Sequence, residues 1–113
     1  MKVTIPIRIE SSLNLREHWR TRANRNTSHR AAAWMCMKAA GRIKVDRATI
    51  TLTRIAPREL DDDNLAGGFK SVRDGVSDWL GIDDGDKRLT WVYAQRRGKP
   101  HEYAAEVEVT HVP

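Results

Sequence analysis

Very little in this chain could be stapled by covalent or metal cross-links. It has one cysteine, Cys36, so no disulfide can form within it, and no Cys-x-x-Cys spacing supports a zinc site. Cys36 lies in Trp34-Met35-Cys36-Met37 and reads as a buried thiol on an apolar helix. Long apolar runs are missing too: none approaches the roughly 20 residues that a membrane span needs. The N-terminal stretch Val3-Thr4-Ile5-Pro6-Ile7-Arg8-Ile9 alternates instead of forming the apolar block of a secretory signal. These absences imply a cytoplasmic protein. There is no internal repeat and no low-complexity segment. At 113 residues, with 40% apolar and 31% charged side chains, the chain suits one core but not two, so residues 1–113 are expected to form a single domain.

Charge is plentiful but unevenly placed. Residues 59–86 hold Glu59, Asp61, Asp62, Asp63, Asp74, Asp78, Asp83, Asp84 and Asp86 against only Lys70 and Arg73, a net charge of −7. Because the whole chain is +5, the remaining 85 residues carry +12. A pI near 9.8 suggests a polyanionic partner, since Lys and Arg raise both affinity and encounter rate for phosphate backbones. Dense carboxylates would repel one another and such a partner. A divalent cation relieves both repulsions, and hard oxygen donors suit Mg²⁺ or Mn²⁺, with substrate phosphate completing the shell. The asymmetry therefore points to metal-dependent chemistry on nucleic-acid phosphates. A calcium loop does not fit, because neither Asp61–Asn64 nor Asp83–Asp86 has the alternating ligands, central Gly and distal Glu of that pattern.

Periodicity gives the order β-α-β-α-β-β, an α+β domain with a mixed sheet and helices packed against it. Residues 2–10 alternate and read as a half-buried strand. Residues 11–29 are polar, without apolar periodicity, and read as a long loop. Arg30 to Ile43 is rich in Ala, Met and Lys, which predicts a helix capped by Ser28 and closed near Gly41. Lys44 to Ile55 reads as a strand stopped by Pro57. A second helix is expected over Asn64 to Leu80, where Leu65, Phe69, Val72, Val76 and Leu80 keep helical spacing and Gly81 ends the run. Residues 88–97 and 102–112 alternate around Gly98-Lys99-Pro100-His101, which predicts a hairpin.

The two acidic groups bracket that second helix. Asp and Asn are favoured caps, and carboxylates in a first turn suit the helix dipole. Three aspartates in a row with Glu59 ahead of them exceed what capping requires. Alternating directions would aim Asp61 and Asp63 to one side and Asp62 to the other, which makes half of a divalent-metal site. Asp83-Asp84-Gly85-Asp86 lies beyond the other end, and a 17-residue helix rises about 25 Å. The two groups meet only if the helix is shorter or bent, and Gly67-Gly68 offers a break. Lys70, two turns after Asp63, would hold a scissile phosphate; equally, it would form a surface ion pair with Asp74 at i+4.

The segment Asp61-Asp62-Asp63-Asn64-Leu65, followed by Lys70, Asp74 and Gly81-Ile82-Asp83-Asp84, resembles the RusA-type Holliday junction resolvases and their phage-encoded relatives. The element order and the Asn/Arg-rich stretch after the first strand are similar as well. The resemblance implies a homodimer that uses Mg²⁺ to nick opposed strands of a four-way DNA junction. It implies Asp61, Asp63 and Asp84 as the metal-binding carboxylates and Lys70 as the catalytic lysine. The chain departs from the family pattern in one respect: Ala66-Gly67-Gly68-Phe69 stand between the Asp-Asn-Leu unit and Lys70, whereas the family lysine follows that unit by two residues.

Residues 11–30 supply Arg16, Arg20, Arg22, Arg25 and Arg30 with Trp19, against one acid, Glu17, and are expected to contact DNA. Trp19 is the tryptophan placed for stacking on a base, whereas Trp34, Trp79 and Trp91 fall on apolar faces as core or dimer interface. His29 reads as a phosphate contact or as solvent-facing. Arg96, Arg97 and Lys99 form a second basic group near the tip of the expected hairpin. Two other functions remain open on this reading: a non-catalytic DNA-binding protein that keeps its acidic cluster for folding, and a nuclease acting on flaps or other branched DNA.

Overall fold

The structure, a computed structural model, describes residues 1–10 and 19–112, without the side chain of Trp19. Its elements are β1 (Lys2–Ile5), α1 (Trp19–Ala40), β2 (Ala48–Ala56), α2 (Asp62–Gly68), α3 (Lys70–Leu80), β3 (Leu89–Arg97) and β4 (Ala104–His111). The four strands form one mixed sheet in the order β1-β4-β2-β3. Strand β2 is central. It runs antiparallel to β4, with Leu52 opposite Val107, and parallel to β3, with Leu52 opposite Tyr93. The expected α+β class and element order hold.

Side-chain alternation explains the layering. Val3, Ile5, Ala48, Ile50, Leu52, Ala105, Val107 and Val109 face one way and are buried. They form one core with Ala33 and Met37 of α1, Leu65 of α2, the intervening Phe69, and Val72 and Val76 of α3. The opposite positions, Thr49, Thr51, Thr53, Glu106 and Glu108 among them, are only partly covered. The helices therefore lie on a single face of the sheet, as one-sided burial predicts for such a pattern. Among the described residues no helix is long and apolar enough to cross a membrane.

Five expectations change, the last of them in the second helix. The alternating stretch 2–10 stops being strand at Ile5, because Pro6 has no N–H for the ladder and Ile7 N–H turns back to the Ile5 carbonyl at 2.9 Å. The polar stretch expected as a loop is helical from Trp19, so Ser28 is interior and caps nothing. No Gly or Pro interrupts residues 19–40, so a helix nucleated on the buried Ala33 and Met37 extends through Arg and Ala without a stop. The Lys44–Ile55 strand begins only at Ala48. Fourth, β3 and β4 are not a hairpin. Gly98 N–H bonds the Ala56 carbonyl at 2.9 Å, so the chain leaving β3 steps over the end of β2 and returns on its far side.

The second predicted helix is two helices. α2 ends at Gly68, Phe69 buries its ring, and α3 begins at Lys70. Two glycines fix how closely these helices approach their neighbours. A Cβ on Gly68 would lie 2.8 Å from the Glu10 carbonyl oxygen, and one on Gly75 would lie 2.4 Å from the Arg30 carbonyl oxygen and 2.8 Å from Ala33 Cβ. Gly75 therefore lets α3 press directly onto the α1 backbone. In an open helix Gly75→Ala would stabilise by up to about 1 kcal/mol. Here the obstacle is backbone, and overpacking costs about 1–3 kcal/mol, so this substitution is expected to lower the urea midpoint.

Candidate active site

The site is built along the helix-facing side of β3, where Trp91, Tyr93 and Gln95 project at every second residue. Gln95 holds the chain leading into α2: its Oε1 accepts from Leu60 N–H at 2.9 Å and its Nε2 donates to the Leu60 carbonyl at 2.7 Å. The Tyr93 ring lies 6.1 Å from that of Phe69, at the junction of α2 and α3. Trp91 Nε1 donates to the Asp84 carbonyl at 2.9 Å. Both acidic segments are thus tied to one strand, four residues apart, or about 13 Å of extended chain.

Asp61 occupies the cap position of α2 in an extended conformation, and its carbonyl accepts from Leu65 N–H at 2.8 Å. Its carboxylate makes no capping bond. Asp61, Asp62 and Asp63 are all exposed, so the capping role open to Asp61 is not taken up by its side chain. The second acidic group divides its work. Asp83 Oδ2 accepts from Gly85 N–H at 3.0 Å and closes the turn, while Asp86 pairs with Arg88 at 3.0 Å. Asp84 points to α3, with Oδ2 3.0 Å from Arg73 Nε and 3.3 Å from Lys70 Nζ.

Arg73 is the residue that sequence reasoning missed. Its three nitrogens reach Asp84 Oδ2, the Asp84 carbonyl at 2.9 Å and Tyr93 Oη at 2.9 Å, and its guanidinium lies over the Trp91 ring at 4.7 Å. A planar fork with fixed donors suits this use better than an ammonium would. The available signal was its position at i+3 from Lys70, opposite a strand of alternating aromatics. Lys70 also pairs with Asp74 at 2.8 Å, so both readings of Lys70 at the sequence level, ion pair and partner of the acidic site, have a counterpart in the geometry. The Asp74 hydrogen bond raises the Lys70 pKa against an opposing contribution from burial, and Asp84 adds to the rise. Burial pushes the Asp84 carboxyl upward, but hydrogen bonds and charge from Lys70 and Arg73 outweigh it and hold the group below its ordinary value.

Among the described residues, no three His, Cys, Asp or Glu side chains are gathered so as to hold a metal ion. Asp84 meets Lys70; Asp61, Asp63 and Asp84 do not form one cluster. The donor chemistry of Asp61 and Asp63, hard oxygens open to solvent, fits a small divalent cation, whereas Asp84 is committed to two cationic side chains.

Of the basic residues, Arg16 lies outside the described residues, as does the Trp19 side chain. Arg20, Arg22, Arg25 and Arg30 line the first half of α1, which contains no acid. Arg30 is engaged elsewhere, with Nε 2.7 Å from Asp78 Oδ2. His29 is half-buried, and burial, then the nearby Arg25 charge, lower its pKa, which favours a neutral ring over a cationic phosphate contact. Cys36 is only partly covered. Trp34, expected in a core or dimer interface, is 38% exposed and carries Lys38 over its ring at 4.6 Å. Trp79 and Trp91 do pack against the core.

No family model matches the chain, and no solved structure matches it. It is similar to an uncharacterized protein of Xylella fastidiosa, 35% identical over 83 residues, which covers 65% of this chain and 52% of the relative. The chain thus spans about half the length of that protein.

The Asp84 linkage has a definite sign. A carboxyl whose folded pKa is depressed contributes stability above the unfolded value of about 4 and loses it as pH falls through the folded value. Asp84→Asn is therefore expected to be less stable than the wild type at neutral pH. The difference should begin to shrink on acidification below about pH 4 and vanish only once the pH is below the depressed folded value, read as urea midpoints across a pH series.

Proposed function

We propose that this protein is a metal-dependent endodeoxyribonuclease that nicks four-way DNA junctions, acting as a homodimer. The observation that supports this most is the meeting of Lys70 with Asp84, two motif residues fourteen positions apart, beside β3, whose Trp91 holds Asp84 and whose Gln95 anchors the chain into the Asp61 turn. A surface ion pair alone would need only Asp74. The reach of Lys70 to both carboxylates also favours it, over Gly67, as the lysine of the RusA-like pattern.

On this reading Asp61, Asp63 and Asp84 are the residues that would hold Mg²⁺ (or Mn²⁺ in its place). Bound there, the ion would supply Lewis-acid polarisation of the scissile phosphate and an activated water. The chain's own residues do the rest. Lys70 is 62% exposed at its side chain and neutralises charge developing on the phosphoryl oxygens. Arg73 holds the Asp84 backbone and carboxylate in place, and Trp91 and Tyr93 hold Arg73. Arg20, Arg22 and Arg25 of α1 add positive charge on the side of the phosphate backbone.

One observation favours a second reading, a DNA-binding protein without catalysis: the three carboxylates are not gathered, and Asp84 is already neutralised by Lys70 and Arg73. Incubation with synthetic junction, flap and linear duplex DNA in Mg²⁺ decides between them. The nuclease reading expects symmetric nicks in the junction, preserved binding in Asp63→Asn and Asp84→Asn, and at least a roughly hundred-fold loss of cleavage in each, the scale seen when a transition-state-stabilising group is removed. Binding without scission at any Mg²⁺ or Mn²⁺ concentration would leave only the second reading. Preferential cutting of flaps would move the substrate class but keep the chemistry.

A further inference from the structure

Beside the Asp61 turn the fold builds a second feature that the acidic pattern does not use. Parallel strands β2 and β3 end together, with Ala56 opposite Arg97, and the chain beyond β2 runs Pro57-Arg58-Glu59-Leu60 into α2. Pro57, Arg58, Glu59 and Arg97 line a cleft of about 380 Å³. Arg58 and Arg97 are 39 positions apart in the chain, yet they face this one space. Both are exposed, and neither has an ion-pair partner among the described residues. Glu59 lines the same cleft without pairing to either, which leaves one uncompensated positive charge. Arg96, the neighbouring cation, is not part of it, because Glu106 holds it at 2.6 Å.

Both walls are fixed from behind. Arg54 is only 7% exposed within β2, and its guanidinium donates to the Ile9 carbonyl at 2.9 Å and to the Arg58 carbonyl. Burial, then the Arg8 charge, lower its pKa, so the arrangement is held against a desolvation cost. Gln95 pins Leu60 through both backbone groups, at 2.9 and 2.7 Å. On the other side, Gly98 N–H bonds Ala56, and a Cβ on Gly98 would lie 2.8 Å from Glu102 Oε1, so the chain after Arg97 is tightly seated. A buried cation spent on fixing a surface turn leaves the backbone of the cleft preorganised and the two arginine side chains free to engage a ligand.

We propose that this cleft binds the phosphodiester backbone of DNA and seats a strand beside Asp61 and Asp63. Two guanidiniums on a rigid frame suit phosphate oxygens. Arg58 lies three residues from Asp61, a reach of at most about 10 Å, so a strand held here passes the acidic turn. The inference rests on the DNA-directed reading above, but not on cleavage.

The test measures binding of the full chain to a labelled four-way junction in EDTA, by anisotropy over a salt series. Arg58→Ala/Arg97→Ala is compared with Arg42→Ala/Lys44→Ala, which removes the same charge beyond the other end of the nine-residue β2, about 30 Å away. The cleft variant is expected to bind at least roughly ten-fold more weakly near 0.15 M salt, with a log–log salt slope shallower by about 2, at roughly one unit per lost phosphate contact. Its melting temperature should match the wild type, because both side chains are exposed. Unchanged binding, an equal loss in the distal variant, no binding by the wild type, or equal competition by polyglutamate would each overturn the cleft. Parallel cleavage assays separate the two proposals. Binding through the cleft without scission refutes only the nuclease, and scission with normal binding by the double variant refutes only the cleft.

Discussion

Everything about this molecule follows from the central place of β2. A strand with one antiparallel and one parallel neighbour cannot be joined to both by tight turns. The parallel partner β3 can be reached only by a crossover, and α2 with α3 provides it. That crossover carries the carboxylate-rich stretch. Its first end leaves β2 beside Gln95, and its last end comes back to β3 beside Trp91. Two acidic segments that the chain separates by a pair of helices therefore share one strand as their support.

On that support the side chains differ in how tightly they are held. Asp84 is fixed by its own carbonyl, by Arg73 and by Lys70, whereas Asp61 and Asp63 stand in the open. The chemistry proposed for them needs a rigid partner and an accessible pair, and the division between bound and open carboxylates matches that need. The cation that would join them competes with two side chains already in contact with Asp84. Affinity for the ion and ion pairing within the protein are thus opposed at this one residue.

Much of this was legible from the residues alone. Apolar spacing at Val72 and Val76 gave the helix, alternation gave the strands, and the Gly67-Gly68 pair marked where the helix divides. What the pattern did not carry was partnership. Alternation in β3 and β4 looks the same whether the two strands pair or admit a third between them, and the decision lies with the buried stretch Ile55-Ala56 and the Gly98 contact. The first half of α1 was hidden for another reason: a helix extending past its packed part needs no apolar stripe, only the absence of a breaker. Arg54 gave no sign of being a positioning group and Arg73 only its spacing from Lys70, because a charged residue on a strand or helix reveals its partners only after the turns that bring them have formed.

The step that β3 takes over β2 also shapes how the protein assembles. The two strands adjacent in the chain are not hydrogen-bonded to each other, so the sheet contains no turn from which a ladder can close like a zip. Its least distant pairing, Ala48 with Leu89, already spans 41 residues, and Lys2 must find Glu108. Loop-closure entropy has to be met before any strand contact offsets it, which slows folding relative to helical domains of this length. The helix pair α1 and α3, brought together at Gly75, is where early native contacts can gather, and the sheet is completed against it.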